Sequence, residues 1–156
     1  MSQPSHPLDN VDAWRGPTAS QAAGLTLAAA RAVIAAVQAE ARAMRVALSC
    51  AVVDSGDQLV AFERMDAADL VTITLAKDKA FTALANRMPT RDLAPLVQPG
   101  AEFYGYDSVA AGRTIVFAGG LPLELDGVLV GAVGVSGGSA EEDQRAAEAG
   151  VRAFGG

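Results

Sequence analysis

An Asp-Gly pair fixes more of this chain's architecture than any other short feature. Asp126-Gly127 separates two β-rich runs, residues 122–125 and Val128–Ser136, and a two-residue Asp-Gly link suits the twisted turn that closes an antiparallel hairpin. A second unit lies upstream, where residues 46–54 and 58–64 flank Ser55-Gly56-Asp57. Strands joined by turns this short pair antiparallel, because a parallel crossover needs about a dozen residues or more. A further β-rich run over residues 114–118 brings the expected sheet to five strands.

Helical periodicity fills the rest. Leu25, Ala28, Ala32, Ala36 and Ala39 recur at helical spacing, so a helix is expected to about Met44, with Thr18 or Ser20 as its cap. Leu70, Ile73, Ala76, Ala80 and Leu84 predict a second helix over 67–87, stopped by Pro89. Thr90 can cap a short helix over 91–97, ended by Pro99-Gly100. Gly137-Gly138-Ser139 leads into a last helix from Ala140 to about Phe154, with Ser139 as cap and Glu141, Glu142 and Asp143 at the positive end of its dipole. The order is helix, two strands, two helices, three strands, helix. This predicts an α/β fold of the α+β kind: three layers, α/β/α, around a five-stranded, largely antiparallel sheet.

Composition narrows the functional classes. Hydrophobic residues make up 51% of the 156 positions but aromatics only 5%, so the core is built from small, closely packed side chains. A small domain this apolar is expected to hide surface in a homo-oligomer. No apolar run approaches the roughly 18 residues of a membrane span. A net charge of −6 with scattered basic residues argues against nucleic acid, which needs clustered Lys and Arg. Cys50 is the sole cysteine, which excludes an intrachain disulfide and a cysteine zinc site; its strand-like setting marks it as a core residue. Residues 1–17 are polar and Pro-containing, without the pattern of a secretory signal. They read as a tail before a single domain over 18–156, in a cytoplasmic protein, with Trp14 favouring docking of the tail on a neighbour.

A set of motifs in order carries a resemblance. They are Ala51-Val52-Val53-Asp54-Ser55-Gly56, Phe62-Glu63-Arg64-Met65-Asp66-Ala67 and Ala76-Lys77-Asp78-Lys79-Ala80-Phe81-Thr82-Ala83. Phe117-Ala118-Gly119-Gly120-Leu121-Pro122-Leu123 and the glycine-rich run from Asp126 to Gly138 follow, then Glu142-Asp143-Gln144 and Ala147-Glu148-Ala149-Gly150. Together, over about residues 22–154, they resemble the HbpS/GlcG family. The resemblance implies a compact α/β/α domain commonly assembled into dimers and octamers. It also implies relatives that include haem-binding regulators, glycolate-operon proteins and the C-terminal domains of PduO-type proteins, some of them associated with haem or corrinoid.

Candidate site residues follow from the pattern. Arg64-Met65-Asp66 ends a strand and begins a helix, a place where Arg64 and free backbone N–H groups can bind a ligand carboxylate; the plain alternative is an Arg64–Asp66 pair holding the turn, with Asp66 capping the helix. Lys79 lies in an otherwise apolar helix, where it can bind an acid, act as a base once desolvated, or pair with an aspartate at an interface. Gly119-Gly120 and Gly137-Gly138 serve tight turns and close backbone approach, and leave room for a ligand. The loop over 98–113 holds both tyrosines; in it Tyr104 can donate a hydrogen bond, Glu102 can act as a base, and Phe103 offers apolar surface, with Arg113 alongside. For haem iron the only histidine, His6, lies in the tail, leaving Tyr104, Tyr106, Met65 and Cys50 as ligand types. No metal site is expected.

Two readings stay open. One is an oligomeric accessory protein that binds an organic acid, haem or corrinoid. The other is a cofactor-independent isomerase, hydratase or lyase acting on a small carboxylate or carbonyl compound through Lys79, Arg64, Tyr104 and Glu102.

Overall fold

A computed structural model describes residues 24–155. Helix α1 spans Leu27–Met44, and Thr26 caps it by accepting a 3.1 Å hydrogen bond from the Ala29 N–H. Thr18 and Ser20 lie outside the described residues, as does the tail over 1–17. Strands β1 (Ser49–Asp54) and β2 (Leu59–Arg64) follow, then α2 (Val71–Asn86), the single turn α3 (Thr90–Leu93), β3 (Gly120–Leu125), β4 (Val128–Ser136) and α4 (Ala140–Phe154). The expected cap of the last helix is present: the Ser139 side chain accepts from the Glu142 N–H while the Glu142 carboxylate accepts from the Ser139 N–H.

The described sheet has four strands, in the order β2-β1-β4-β3, all antiparallel. Both hairpins sit where the turn chemistry places them. The central strand β1 is buried along nearly its whole length. β2 and β3 are the edges, and Pro122 lies within β3. Helices α1 and α4 cover one face, packing on Cys50, Val52, Leu123, Val133 and Val135. Helix α2 covers the other, where Ala80, Ala83 and Leu84 meet Val53 and Ala132. Cys50 is a core residue, its thiol pushed far above the ordinary range by burial.

Two glycines set how close α2 comes. Gly120 and Gly134 face each other across β3 and β4. A Cβ on Gly134 would overlap the Ala76 carbonyl, and one on Gly120 would overlap the Lys79 carbonyl. Helix backbone therefore rests directly on strand backbone at this point, with no side chain between.

Residues 114–118 are not the fifth strand. Their polar groups are taken up by side chains of the helices instead. The Ile115 N–H donates to Thr82 Oγ1 at 2.9 Å. Thr90 Oγ1 donates to the Phe117 carbonyl at 2.8 Å and accepts from the Gly120 N–H at 3.0 Å. With those partners the segment runs into β3 as an extended connection and needs no neighbouring strand. Thr90 is thus a strut for this connection, and Pro89 takes the cap position of α3. The second helix also begins later than its periodicity predicts, at Val71, because residues 65–70 form a turn with Ala67 at φ 67°.

Thr90 is fully buried, so Thr90→Val strands two polar groups without changing side-chain shape. Urea denaturation is expected to show a loss of about 1–3 kcal/mol, most of it recovered by Thr90→Ser.

Candidate functional site

The register brings four chain segments to one end of the sheet. Arg64 closes β2 opposite Ser49, Ser49 pairs with Ser136 at the end of β4, and Gly119 adjoins the start of β3. Lys79, two turns into α2, reaches this end from below. Its side chain is fully buried. Its Nζ donates to Asp143 Oδ2 at 2.7 Å and to the Val135 carbonyl at 2.9 Å, and lies 4.9 Å from the centre of the Phe117 ring.

Asp143 comes from the first turn of α4, and its Oδ1 accepts from the Gly138 N–H at 2.9 Å. Gly119, at φ 116°, completes the enclosure: a Cβ there would come within 2.9 Å of Lys79 Nζ and would overlap the Val135 carbonyl. The Gly119 N–H donates to Gln144 Oε1 at 3.3 Å, and Gln144 Nε2 donates to Glu148 Oε1 at 3.0 Å. A buried lysine, one carboxylate and the backbone of both glycine segments therefore form one cluster.

Its electrostatics follow from burial. Desolvation lowers the Lys79 pKa from the ordinary lysine value and raises that of Asp143, and in each case the partner's charge opposes the shift. Two hydrogen bonds and an aromatic face surround the ammonium. As built, the cluster joins α2, β4, α4 and the Gly119 turn.

The other candidates lie apart from it. Arg64 and Gly120 are on opposite edge strands, three strand spacings or roughly 14 Å from each other. Arg64 and Asp66 are exposed and form no ion pair with each other; Asp66 sits in the 65–70 turn and Leu70 holds the cap position of α2. Arg64 lines an open cleft with Gln38, Arg42, Met65 and Asp66. Glu102, Phe103 and Tyr104 are exposed on the loop beside α3. The loop is held to α2 by Tyr106, whose hydroxyl donates to Asn86 Oδ1 at 2.8 Å. Asn86 is seven positions beyond Lys79, about 10 Å along the helix. Arg113 closes the loop, bridging Asp57 at 2.9 Å and Asp78 at 3.1 Å over the face of Phe81.

The sequence reading misses several neighbours. Asp143 reads as a helix-dipole acid, and nothing local marks it as the partner of Lys79. Gln144 and Phe117 stand in the quoted motifs without an assigned role, and the Arg42–Gln38 pair goes unmarked, since each joins its site through the tertiary fold.

Comparison with known proteins places this architecture. A family model described as haem degrading protein HbpS-like matches residues 25–152. The chain belongs to the HbpS-like family. An uncharacterised 15.0 kDa protein from the dhaT-dhaS intergenic region of Citrobacter freundii is 40% identical over 134 residues, 86% of this chain and 94% of that protein. Protein GlcG of Escherichia coli K12 is 36% identical over 107 residues, covering 69% of this chain and 77% of GlcG. Among solved structures, the PduOC–haem complex superposes with a TM-score of 0.80 at 36% identity, over 83% of this chain and 94% of that one. The HbpS-like fold is thus present here, with Lys79 and Asp143 paired at one end of its sheet. No described helix is long and apolar enough to cross a membrane, and the described residues hold no cluster of three metal-ligating side chains.

Proposed function

We propose that this HbpS-like chain is a cytoplasmic, small-molecule-binding accessory protein that works as a homo-oligomer, with haem the first ligand to test. The observation that carries the reading is the likeness to the PduOC domain, which was solved as a haem complex. Organic acids and corrinoids belong to the same reading, since each combines an extended or apolar body with groups that a guanidinium can hold. Arg64, Asp66, the exposed rings of Phe103 and Tyr104, and the exposed Gly137 and Gly138 are the ligand-binding residues of this proposal, whereas Lys79, Gly119 and Gly120 are closed in by the protein's own atoms.

Among the candidate iron ligands, the exposed Tyr104 and the half-buried Met65 remain accessible. The chain's one histidine, His6, precedes the described residues. Cys50 is sealed in the core, and the Tyr106 hydroxyl is engaged by Asn86. The apolar cleft beside α3 holds about 200 Å³, less than a porphyrin needs. Arg42 and Arg64, which line one open cleft, are the groups that would hold the propionates of a haem.

The enzyme reading asks Lys79, Arg64, Tyr104 and Glu102 to surround one substrate. They lie on three different elements, Arg64 at the end of edge strand β2, Lys79 inside α2, and Glu102 and Tyr104 on the loop, and Lys79 is enclosed. Binding is the better-supported function.

Titration of hemin into the full chain tests it. A saturable Soret shift, retained in His6→Ala and weakened in Arg64→Ala, is expected. Absence of any saturable change would remove haem, and loss with His6→Ala alone would move the site to the tail.

A further inference from the structure

We propose that the cleft between α3 and the loop over 98–112 is a binding site for a neutral, single-ring aromatic molecule carrying a hydroxyl group. The proposal shares only Phe103 with the haem reading and does not rest on it, because the cleft is far too small for a macrocycle.

Size sets the first limit. The cleft holds about 200 Å³, and an apolar cavity of about 150 Å³ already accommodates benzene. One six-membered ring with a small substituent fits with room to spare.

Lining sets the second. Leu93, Leu96, Val97, Met88 and Phe103 form its walls, and no charged side chain is among its lining residues. A charged ligand would lose its hydration without a counter-charge, so the occupant is neutral. Phe103 and Tyr106 stand with ring centres 6.3 Å apart and planes tilted by 58°. That offers a third ring both a face and an edge. Met88 adds a soft thioether that adapts to an aromatic neighbour.

Hydrogen bonding sets the third. One Nδ2 proton of Asn86 goes to the Thr82 carbonyl at 2.9 Å, and Asn86 Oδ1 accepts from the Tyr106 hydroxyl at 2.8 Å. The Tyr106 proton is therefore committed, while its oxygen keeps acceptor capacity. A ligand that donates satisfies this oxygen; one that can only accept does not. A phenol-type hydroxyl is the matching group.

The covering loop is pinned at both sides of the cleft. The Phe103 N–H donates to the Leu96 carbonyl at 3.1 Å, and Arg113 is clamped by Asp57 and Asp78. Between these pins Ala110 and Ala111 both hold left-handed backbone, at φ 53° and 56°. L-residues adopt that conformation only at a cost.

Calorimetric titration of the full chain with 4-methylphenol tests the proposal, with toluene as the ring that lacks a donor. One-to-one binding of 4-methylphenol is expected. Tyr106→Phe should weaken it about five- to tenfold while leaving toluene unchanged. Leu96→Trp, which fills the cleft from its rim, should reduce affinity for both at least about tenfold. Should Leu96→Trp fail to fold, NMR shift changes at the Met88 methyl of the unaltered chain, saturating with 4-methylphenol, place the ligand instead. Three results would each overturn the site: no saturable binding of 4-methylphenol, equal affinity in a folded Leu96→Trp, or a change of oligomeric state in that variant without ligand binding. The last would assign the cleft to a side chain of a second copy.

Discussion

Lys79→Met is expected to cost about 3–5 kcal/mol of stability, the range for removing one member of a buried ion pair. Small domains are stable by about 5–15 kcal/mol in total, so this single change consumes a large part of the margin. The reason lies in what stays behind. Asp143 is nearly buried, and without Nζ its Oδ2 keeps no described partner, while the Val135 carbonyl loses its lysine donor. The companion variant separates an unpaired charge from lost packing. Lys79→Met combined with Asp143→Asn removes both charges and keeps an oxygen to accept from the Gly138 N–H. Urea denaturation should show the double variant more stable than Lys79→Met alone. A loss below about 1 kcal/mol for Lys79→Met would mean that Asp143 finds water or a proton at little cost.

Gly134→Ala is expected to cost about 3 kcal/mol or more, at or beyond the usual range for overpacking a core. A new Cβ at this position meets the Ala76 carbonyl and the Ala80 N–H, which belong to the backbone of α2. A crowded side chain can turn aside; helix backbone moves only as a unit. Relief therefore requires α2 to lift from the sheet, which also disturbs Lys79 and Gly120. Gly56→Ala is the control: it lies in an exposed turn, where its Cβ meets only Asp54 Oδ1 at 3.4 Å. Thermal unfolding should leave that variant within about 0.5 kcal/mol of the parent.

Local chemistry made most of the fold legible. Asp126-Gly127 and Ser55-Gly56-Asp57 mark turns because a few residues decide a hairpin, and Ser139 marks a helix start because its cap partner is three positions away. The segment 114–118 was misread for the opposite reason. Its β-rich residues suit a strand, but its backbone partners, Thr82 and Thr90, lie some thirty positions upstream. The site was legible only by halves. Lys79 stands out as a charge in an apolar helix, whereas its partner Asp143 is 64 positions distant. Arg64 was visible and Arg42 was not, because α1 and β2 become neighbours only once the sheet is covered. Gly119 and Gly120, expected to allow close backbone approach, fill that role against Lys79 and α2, and Gly134, which carried no such expectation, does the same.

Pro122 carries a consequence for the way copies of this chain can join. A bare sheet edge is a template that another chain can lengthen, strand upon strand. One margin of this sheet is β3, where the proline ring supplies no N–H to an incoming strand. The opposite margin, β2, has no proline. Strand addition at β2 meets no such missing donor. Two copies joined β2 to β2 would present only proline-bearing margins outward, so such a ribbon terminates itself at eight strands.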